Sequence, residues 1–282
     1  MAQTQRHDER EKMIITQKLK DNGIISQVRS RFEAYNFLFV ELVKRDFNKK
    51  YKRTVLGIVW SLLNPLLHLL ILMLVFSQFF ERDMPHFLIH VFAGIKVYQY
   101  FNEATNAGMS SLMGNAGIIS KIKAPKYLFL LSKNVSSFIT FMLTMGIFFI
   151  FVALEGIPFS PRFFLLIYPV ITLTLLNIGV GLILSALFVF FKDIQYLYAI
   201  FLRLVFFTSA IFWPVESLSP LMQQLFLLNP IFAHIHYFRL VVVHGLTPSL
   251  NVHLILVLYP IVALLLGMLI YKKYNSRFIY HM

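Results

Sequence analysis

The 282-residue sequence contains no cysteine, so neither a disulfide framework nor thiol chemistry can be built from it. Acidic residues are also scarce: Asp and Glu number 13 against 26 Lys and Arg. Charged residues make up 14% of the chain, where a soluble domain carries roughly a quarter. These shortages exclude whole classes of function. Ion-coupled carriers keep buried carboxylates as ion sites, and the six apolar spans read below contain a single acid, Glu103. No G-x-x-x-x-G-K-[ST] loop is present to cradle a nucleotide, and neither H-E-x-x-H nor G-x-S-x-G occurs. No catalytic residues and no metal site are expected. His234 and His236 stand two apart, which turns them away from each other on a helix.

What is present is apolar. Hydrophobic residues make up 58% of the chain, and the mean hydropathy is +0.70. Uncharged runs reach 27 residues at Thr54–Phe80 and 29 at Phe163–Phe191, and a helix needs about 20 to cross a bilayer core. The expected fold is an all-α polytopic membrane protein with six transmembrane helices. These are placed at Leu56–Phe80, Phe87–Ala107, Val135–Leu154, Phe163–Phe191, Tyr196–Val215 and Val252–Tyr271. Outside the spans, 21 Lys and Arg fall on one side, and three fall on the other, Arg82, Arg162 and Arg239. Cytoplasmic loops accumulate positive charge, so both termini are expected in the cytoplasm and the protein in the cytoplasmic (inner) membrane. The net charge of +13 is read the same way; no nucleic-acid partner is expected. Residues 1–53 are too charged for a cleavable signal and form a cytoplasmic N-terminal segment ahead of a transmembrane domain at 54–282.

Shorter features fill in this layout. Phe32, Tyr35, Phe39, Leu42, Val43 and Phe47 recur at helical steps beside Lys44, Arg45, Lys49, Lys50, Lys52 and Arg53. An apolar stripe flanked by cations describes an amphipathic helix lying in the inner interface against membrane lipids. Ser217–Tyr237 is uncharged but broken at Asn229-Pro230, and is read as two short external re-entrant helices covered by protein. Lys96 and Glu103, seven apart on one helix face, are expected to pair, and Arg203 to snorkel or to face a wet path. His68 in the first span is expected to hydrogen-bond within the bundle. The loop 108–134 carries four lysines, no acid, Gly114-Asn115 as a turn and Pro125 as a breaker. Its Ile118, Ile119 and Ile122 make either a docking face or a simple cytoplasmic loop.

The ordered set of these features resembles the permease subunits of polysaccharide-exporting ABC transporters, which export O-antigen, capsule or wall teichoic acid. The resemblance runs from about Phe39 to the end. It is carried by Leu56, Gly57, Trp60, Asn64 and Pro65, the stretch Gly94–Phe101, Lys192-Asp193, Ser209–Leu218, Asn229-Pro230 and Tyr271–Phe278. It implies a homodimer joined to two copies of a separate ABC ATPase. ATP and Mg would bind in that partner, and this chain would bind no cofactor. A coupling helix is implied at about 115–125, with Asn115, Ile118, Ile119, Lys121, Ile122 and Lys123 as docking residues. Lys192 and Asp193 would form a second contact, weakened by Lys where the family carries Arg. The basic residues Lys44, Arg45, Lys49, Lys50 and Arg53, assisted by Arg203, would receive the phosphates of a lipid-linked polysaccharide. Trp60, Phe206, Phe207 and Trp213 would line the path. The alternatives are an exporter of a drug or small lipid, a polyprenyl-lipid transferase and an ion-coupled carrier. The transferase lacks an evident catalytic constellation, and the carrier lacks buried acids.

Overall fold

The computed structural model describes residues 33–50, 56–60, 63, 64, 66, 67, 70, 71, 74, 86–122, 124–213, 215 and 219–282. Arg53, Pro65, His68, Arg82, Lys123 and much of the first apolar run lie outside the described residues. The chain divides into two units, Met1–Leu42 and Val43–Met282. In the first, the described part is the opening of helix α1 (33–50), where Phe37 and Val40 are exposed. The second begins with the remainder of α1 and holds every other described element.

Those elements are α2 (Phe87–Met109), α3 (Ala116–Ile119), α4 (Tyr127–Leu154), α5 (Ile167–Phe190), α6 (Ile194–Phe207), α7 (Pro220–Phe226), α8 (Pro230–Val242), α9 (Leu250–Tyr274) and α10 (Phe278–His281). Among the described residues there is no strand. Among the described residues, three runs are long and apolar enough to cross a membrane: α4, Pro161–Phe190 (a 3-10 turn leading into α5) and α9. Helix α2 has the length, 23 residues, but interrupts its apolar surface with His90, Lys96, Gln99, Asn102, Glu103 and Asn106.

Helix α6 runs for 14 residues and stops at Phe207, well short of the expected Val215. The cause is local. Thr208 and Ser209 turn their hydroxyls back onto the carbonyls of Leu204 (2.9 Å) and Val205 (2.6 Å), and Ala210 takes a positive φ of 45°. Hydroxyls that bond neighbouring backbone compete with helix continuation. A second correction concerns the helix pair that follows. Asn229 caps α8, its Oδ1 accepting from the amides of Ile231 (2.9 Å) and Phe232 (3.4 Å), with Pro230 at the first helical position. The helix then runs past Tyr237 to Val242 and is buried over most of its length.

Helix α2 is the centre, with 18 of its 23 residues buried. Its Phe92 packs on Phe148 and Phe151 of α4, and its Tyr100 stacks on Phe141 at 4.4 Å between ring centroids. Helices in a membrane gain little from hiding apolar side chains that lipid would solvate equally well, so they associate through close packing of small residues. Helices α5 and α9 do this. A β-carbon on Gly179 would lie 2.7 Å from backbone atoms of Ala263 and Leu264, and one on Gly267 would lie 2.8 Å from Leu182 Cβ. Tyrosine hydroxyls add polar links: Tyr198 to Thr105 (2.6 Å), Tyr98 to the carbonyl of Leu202 (3.0 Å) and Tyr259 to that of Leu227 (2.8 Å). An unmet buried polar group costs roughly 1–3 kcal/mol, so each link fixes the mutual position of two segments.

Candidate functional site

The basic segments that the sequence separates meet at one end of the second unit. Arg45 of α1 donates to Asp46 Oδ1 (2.8 Å) and to Asn115 Oδ1 (2.8 Å), and Asn115 in turn donates to the carbonyl of Ser111 (2.7 Å). Asp46 is buried and also accepts from Lys133 (3.3 Å) and Ser132 (3.3 Å) at the start of α4. Lys50 reaches Glu103 of α2 and Thr140 of α4. The far end of the chain joins the same region. Lys126, just ahead of α4, bonds the carbonyl of Asn275 and lies over the ring of Phe278 at 5.5 Å. Burial holds its ammonium below the ordinary lysine pKa. Phe190, at the end of α5, packs on Tyr274, Phe278 and His281. Thus the second half of α1, the loop around α3, the α5–α6 connection and the C-terminal tail gather together.

The expected docking residues separate into two groups. Asn115 and Ile119 are buried, at 4% and 6% exposure. Lys121 and Ile122 are exposed, and Ile118 is half-buried. Helix α3 itself is a single turn of four residues where a helix at 115–125 is expected. A hollow of about 250 Å³ beside it is lined by Ala116, Gly117, Ile119, Ser120, Ile279 and Met282. Lys192 and Asp193 are exposed at the corner between α5 and α6. The residues expected to receive phosphate also differ among themselves. Lys44 and Lys49 are exposed, whereas Arg45 is turned inward to Asp46 and Asn115.

Arg203 stands on the exposed side of α6 among Ile200, Phe201, Leu204 and Phe207, while Tyr198, Leu202 and Val205 face inward. Of the four aromatic candidates, Phe206 and Phe207 meet edge-on at 5.6 Å. Trp60 and Phe207 are exposed, Phe206 packs edge-on to Tyr98 at 5.0 Å, and Trp213 packs on Phe226 at 5.3 Å. The expected Lys96–Glu103 pair is not formed: Lys96 donates to Gln99 (2.8 Å) and lies over the Phe92 ring, and Glu103 is taken by Lys50. A flexible lysine one turn from a glutamine amide closes that shorter link first. His234 is buried between Thr172 (3.1 Å) and the carbonyl of Pro230 (2.7 Å). Among the described residues no group of His, Asp and Glu could hold a metal.

Two side chains, Arg239 and Asn229, organise the opposite half of the fold. Arg239, counted above as a loop cation, lies in α8 at 3% exposure. Its guanidinium donates to the carbonyls of His90 (3.2 Å), Ala210 (2.9 Å) and Ile211 (2.8 Å). It thereby satisfies the backbone left open where α6 ends. The Asn229 amide nitrogen completes the junction, donating to Thr208 Oγ1 and Ser209 Oγ, both at 3.0 Å. Irregular backbone is tolerated at membrane depth only where protein supplies its partners, and these two side chains supply them.

The sequence profile of the ABC-2 type transporter family matches residues 38–243. The chain is similar to the O-antigen export system permease protein RfbA of Myxococcus xanthus, with 26% identity over 70% of this chain and 75% of that protein. A Klebsiella pneumoniae protein of the same name is 26% identical over 86% of this chain and 93% of its own length. The polysialic acid transport protein KpsM of Escherichia coli is 25% identical over 86% of this chain and 96% of its own. With the matched region covering well over half of its length, the chain belongs to the ABC-2 type transporter permease family.

Proposed function

We propose that the chain is the membrane-spanning subunit of an ATP-driven exporter that moves a lipid-linked polysaccharide across the cytoplasmic membrane. The observation that carries this reading is the gathering of α1, the α3 loop, Lys192-Asp193 and the C-terminal tail at one basic end of a helical permease of this family. The names of the O-antigen and polysialic acid relatives support the cargo class. In this reading six helices cross the membrane, both termini are cytoplasmic, and two copies of the chain assemble with two copies of an ABC ATPase. The ATPase supplies the energy and this chain the path.

The contacts around α3 provide a route for that energy. A partner bearing on Ile118, Lys121 and Ile122 pushes a loop whose Asn115 is tied to Arg45 of α1. Asp46, beside Arg45, is tied to Lys133 and Ser132 of α4. A displacement of the loop is therefore passed at once to a helix at the membrane interface and to the base of a spanning helix. The test is co-purification from the native host in mild detergent. Ile122→Asp is expected to remove a stoichiometric partner carrying a phosphate-binding loop while leaving the chain folded. Ile119→Asp is expected to lower the yield of the chain itself. If Ile122→Asp retains the full complement of partner, the α3 loop is not the docking element.

A further inference from the structure

Helix α2 carries a row of polar residues, Lys96, Gln99, Asn102, Glu103 and Asn106, whose steps of three and four place them on one face. The opposite face, through Val97, Phe101, Ala104, Thr105 and Gly108, is buried. Lys96 stands at the buried end of the row, at 5% exposure. From there the row opens outward: Gln99 is exposed, the Glu103 side chain is 42% exposed, and Asn102 and Asn106 are half-buried. Its hydrogen bonds stay mostly within itself. Lys96 donates to Gln99 Oε1 (2.8 Å), Asn106 Nδ2 donates to Asn102 Oδ1 (2.6 Å), and Glu103 takes Lys50 of α1. Among the described residues this leaves the amide nitrogens of Gln99 and Asn102 and the amide oxygen of Asn106 without a partner.

Such a surface does not suit lipid. The row rises about 15 Å at about 1.5 Å per residue, half of a hydrocarbon core of about 30 Å. Polar groups at that depth face either a bundle interior or a water-filled cavity, and the open positions of this row are not enclosed by the bundle. Elsewhere the chain shows what its lipid-facing surface is made of: the exposed positions in the middle of α9 are Leu258, Ile261, Val262, Leu265, Leu266 and Leu269. The chemistry of the row also narrows what can pass along it. Its one carboxylate is already neutralised by Lys50. The remaining groups are carboxamides, which both donate and accept hydrogen bonds. Sugar hydroxyls do the same, so the two can exchange bonds without the row fixing on one sugar or one charge.

We propose that the α2 row is a wet wall of the translocation path, along which the hydroxyls of a glycan exchange hydrogen bonds with Gln99, Asn102, Glu103 and Asn106. The glycan rests on the exporter reading above; the wetness of the wall does not.

The chain has no cysteine, so single cysteines report directly on the wall. Gln99→Cys, Asn102→Cys and Asn106→Cys are made in the full-length chain and treated, in open membrane fragments of the native host, with a charged methanethiosulfonate. Met142→Cys and Leu265→Cys, exposed on apolar helices, are the controls. The reacting species is the thiolate, which forms in water and not in lipid, so the row is expected to react about tenfold faster than the controls or more. Equal rates overturn the proposal. So does protection of the row together with a disulfide between two copies, which would seat a second copy of the chain there. Asn102→Leu/Asn106→Leu replaces both members of a bonded pair by apolar groups of similar shape, a change that is nearly neutral for stability. It is expected to leave the amount of chain in the membrane unchanged and to remove most of the surface polysaccharide, which Asn102→Ser/Asn106→Ser restores. If the leucine variant keeps more than half of the surface polysaccharide in a host where deleting the gene abolishes it, the glycan does not use this row. If deletion leaves the polysaccharide unchanged, the exporter reading fails and takes the glycan with it, and the wall stands on the labelling alone.

Discussion

Removing the guanidinium of Arg239 should loosen the junction between α2, α6 and α8. Three carbonyls, those of His90, Ala210 and Ile211, receive its hydrogen bonds at 2.8–3.2 Å in a position 3% exposed. Arg239→Met keeps much of the side-chain volume and deletes all three donors. Each orphaned buried carbonyl costs roughly 1–3 kcal/mol, while losing the desolvation cost of a buried cation returns part of this. The net expectation is a loss of about 3–5 kcal/mol, the range for removing one partner of a buried charged network. For a chain of this size about 1 kcal/mol corresponds to a little under 2 °C, so the unfolding temperature in detergent should fall by about 5–9 °C. Arg239→Lys retains charge but one ammonium cannot reproduce the planar fork, and should fall in between. The second readout is limited proteolysis between Phe207 and Ser219, which should accelerate in Arg239→Met. If Arg239→Met unfolds within 2 °C of the parent and resists protease equally, the guanidinium does not hold this junction.

Other perturbations separate the roles of single atoms. Asn229→Asp keeps the oxygen that caps α8 but loses the bonds to Thr208 and Ser209, whereas Asn229→Ala loses both; the alanine variant should be less stable by about 1 kcal/mol more, the usual worth of such a cap. Gly179→Ala would place a methyl 2.7 Å from the α9 backbone and should destabilise by about 1–3 kcal/mol, measured as a lower unfolding temperature, while Gly146→Ala, in open space, should not. Lys96→Met and Glu103→Gln should have additive effects on stability, within about 0.5 kcal/mol, because the two residues share no partner. A larger coupling in that double-mutant cycle would restore the direct pair.

Much of the helical layout was legible because it depends on length, hydropathy and breaker residues. Asn229-Pro230 marked a break between two short helices, and the long uncharged run around Phe163–Phe191 lies on Pro161–Phe190. Arg239 was misread because a lone cation after an apolar stretch looks like a loop boundary. The signal that could have corrected this was Ile231, Ile235, Phe238 and Val242, which continue helical spacing through it. The early end of α6 was hidden because Thr208-Ser209-Ala210 is ordinary helix composition; only hydroxyls folding back on their own carbonyls close the helix there. At the basic end, composition revealed the lysines of the loop. It could not separate buried Asn115 and Ile119 from exposed Lys121 and Ile122, since that depends on how the loop folds against Arg45 and the tail.

The brevity of α6 has an electrostatic consequence. Fourteen residues rise about 21 Å at 1.5 Å each, against a hydrocarbon core of about 30 Å. Past its end at Phe207 lie the open peptide dipoles of Ala210 and Ile211 and the Arg239 guanidinium that they receive. The self-energy of a charge grows with the thickness of unpolarisable material around it. In the exporter proposed above, a phosphate passing α6 would therefore meet an insulating layer about a third thinner than the one it would meet in the surrounding bilayer, which would lower the work asked of the ATPase.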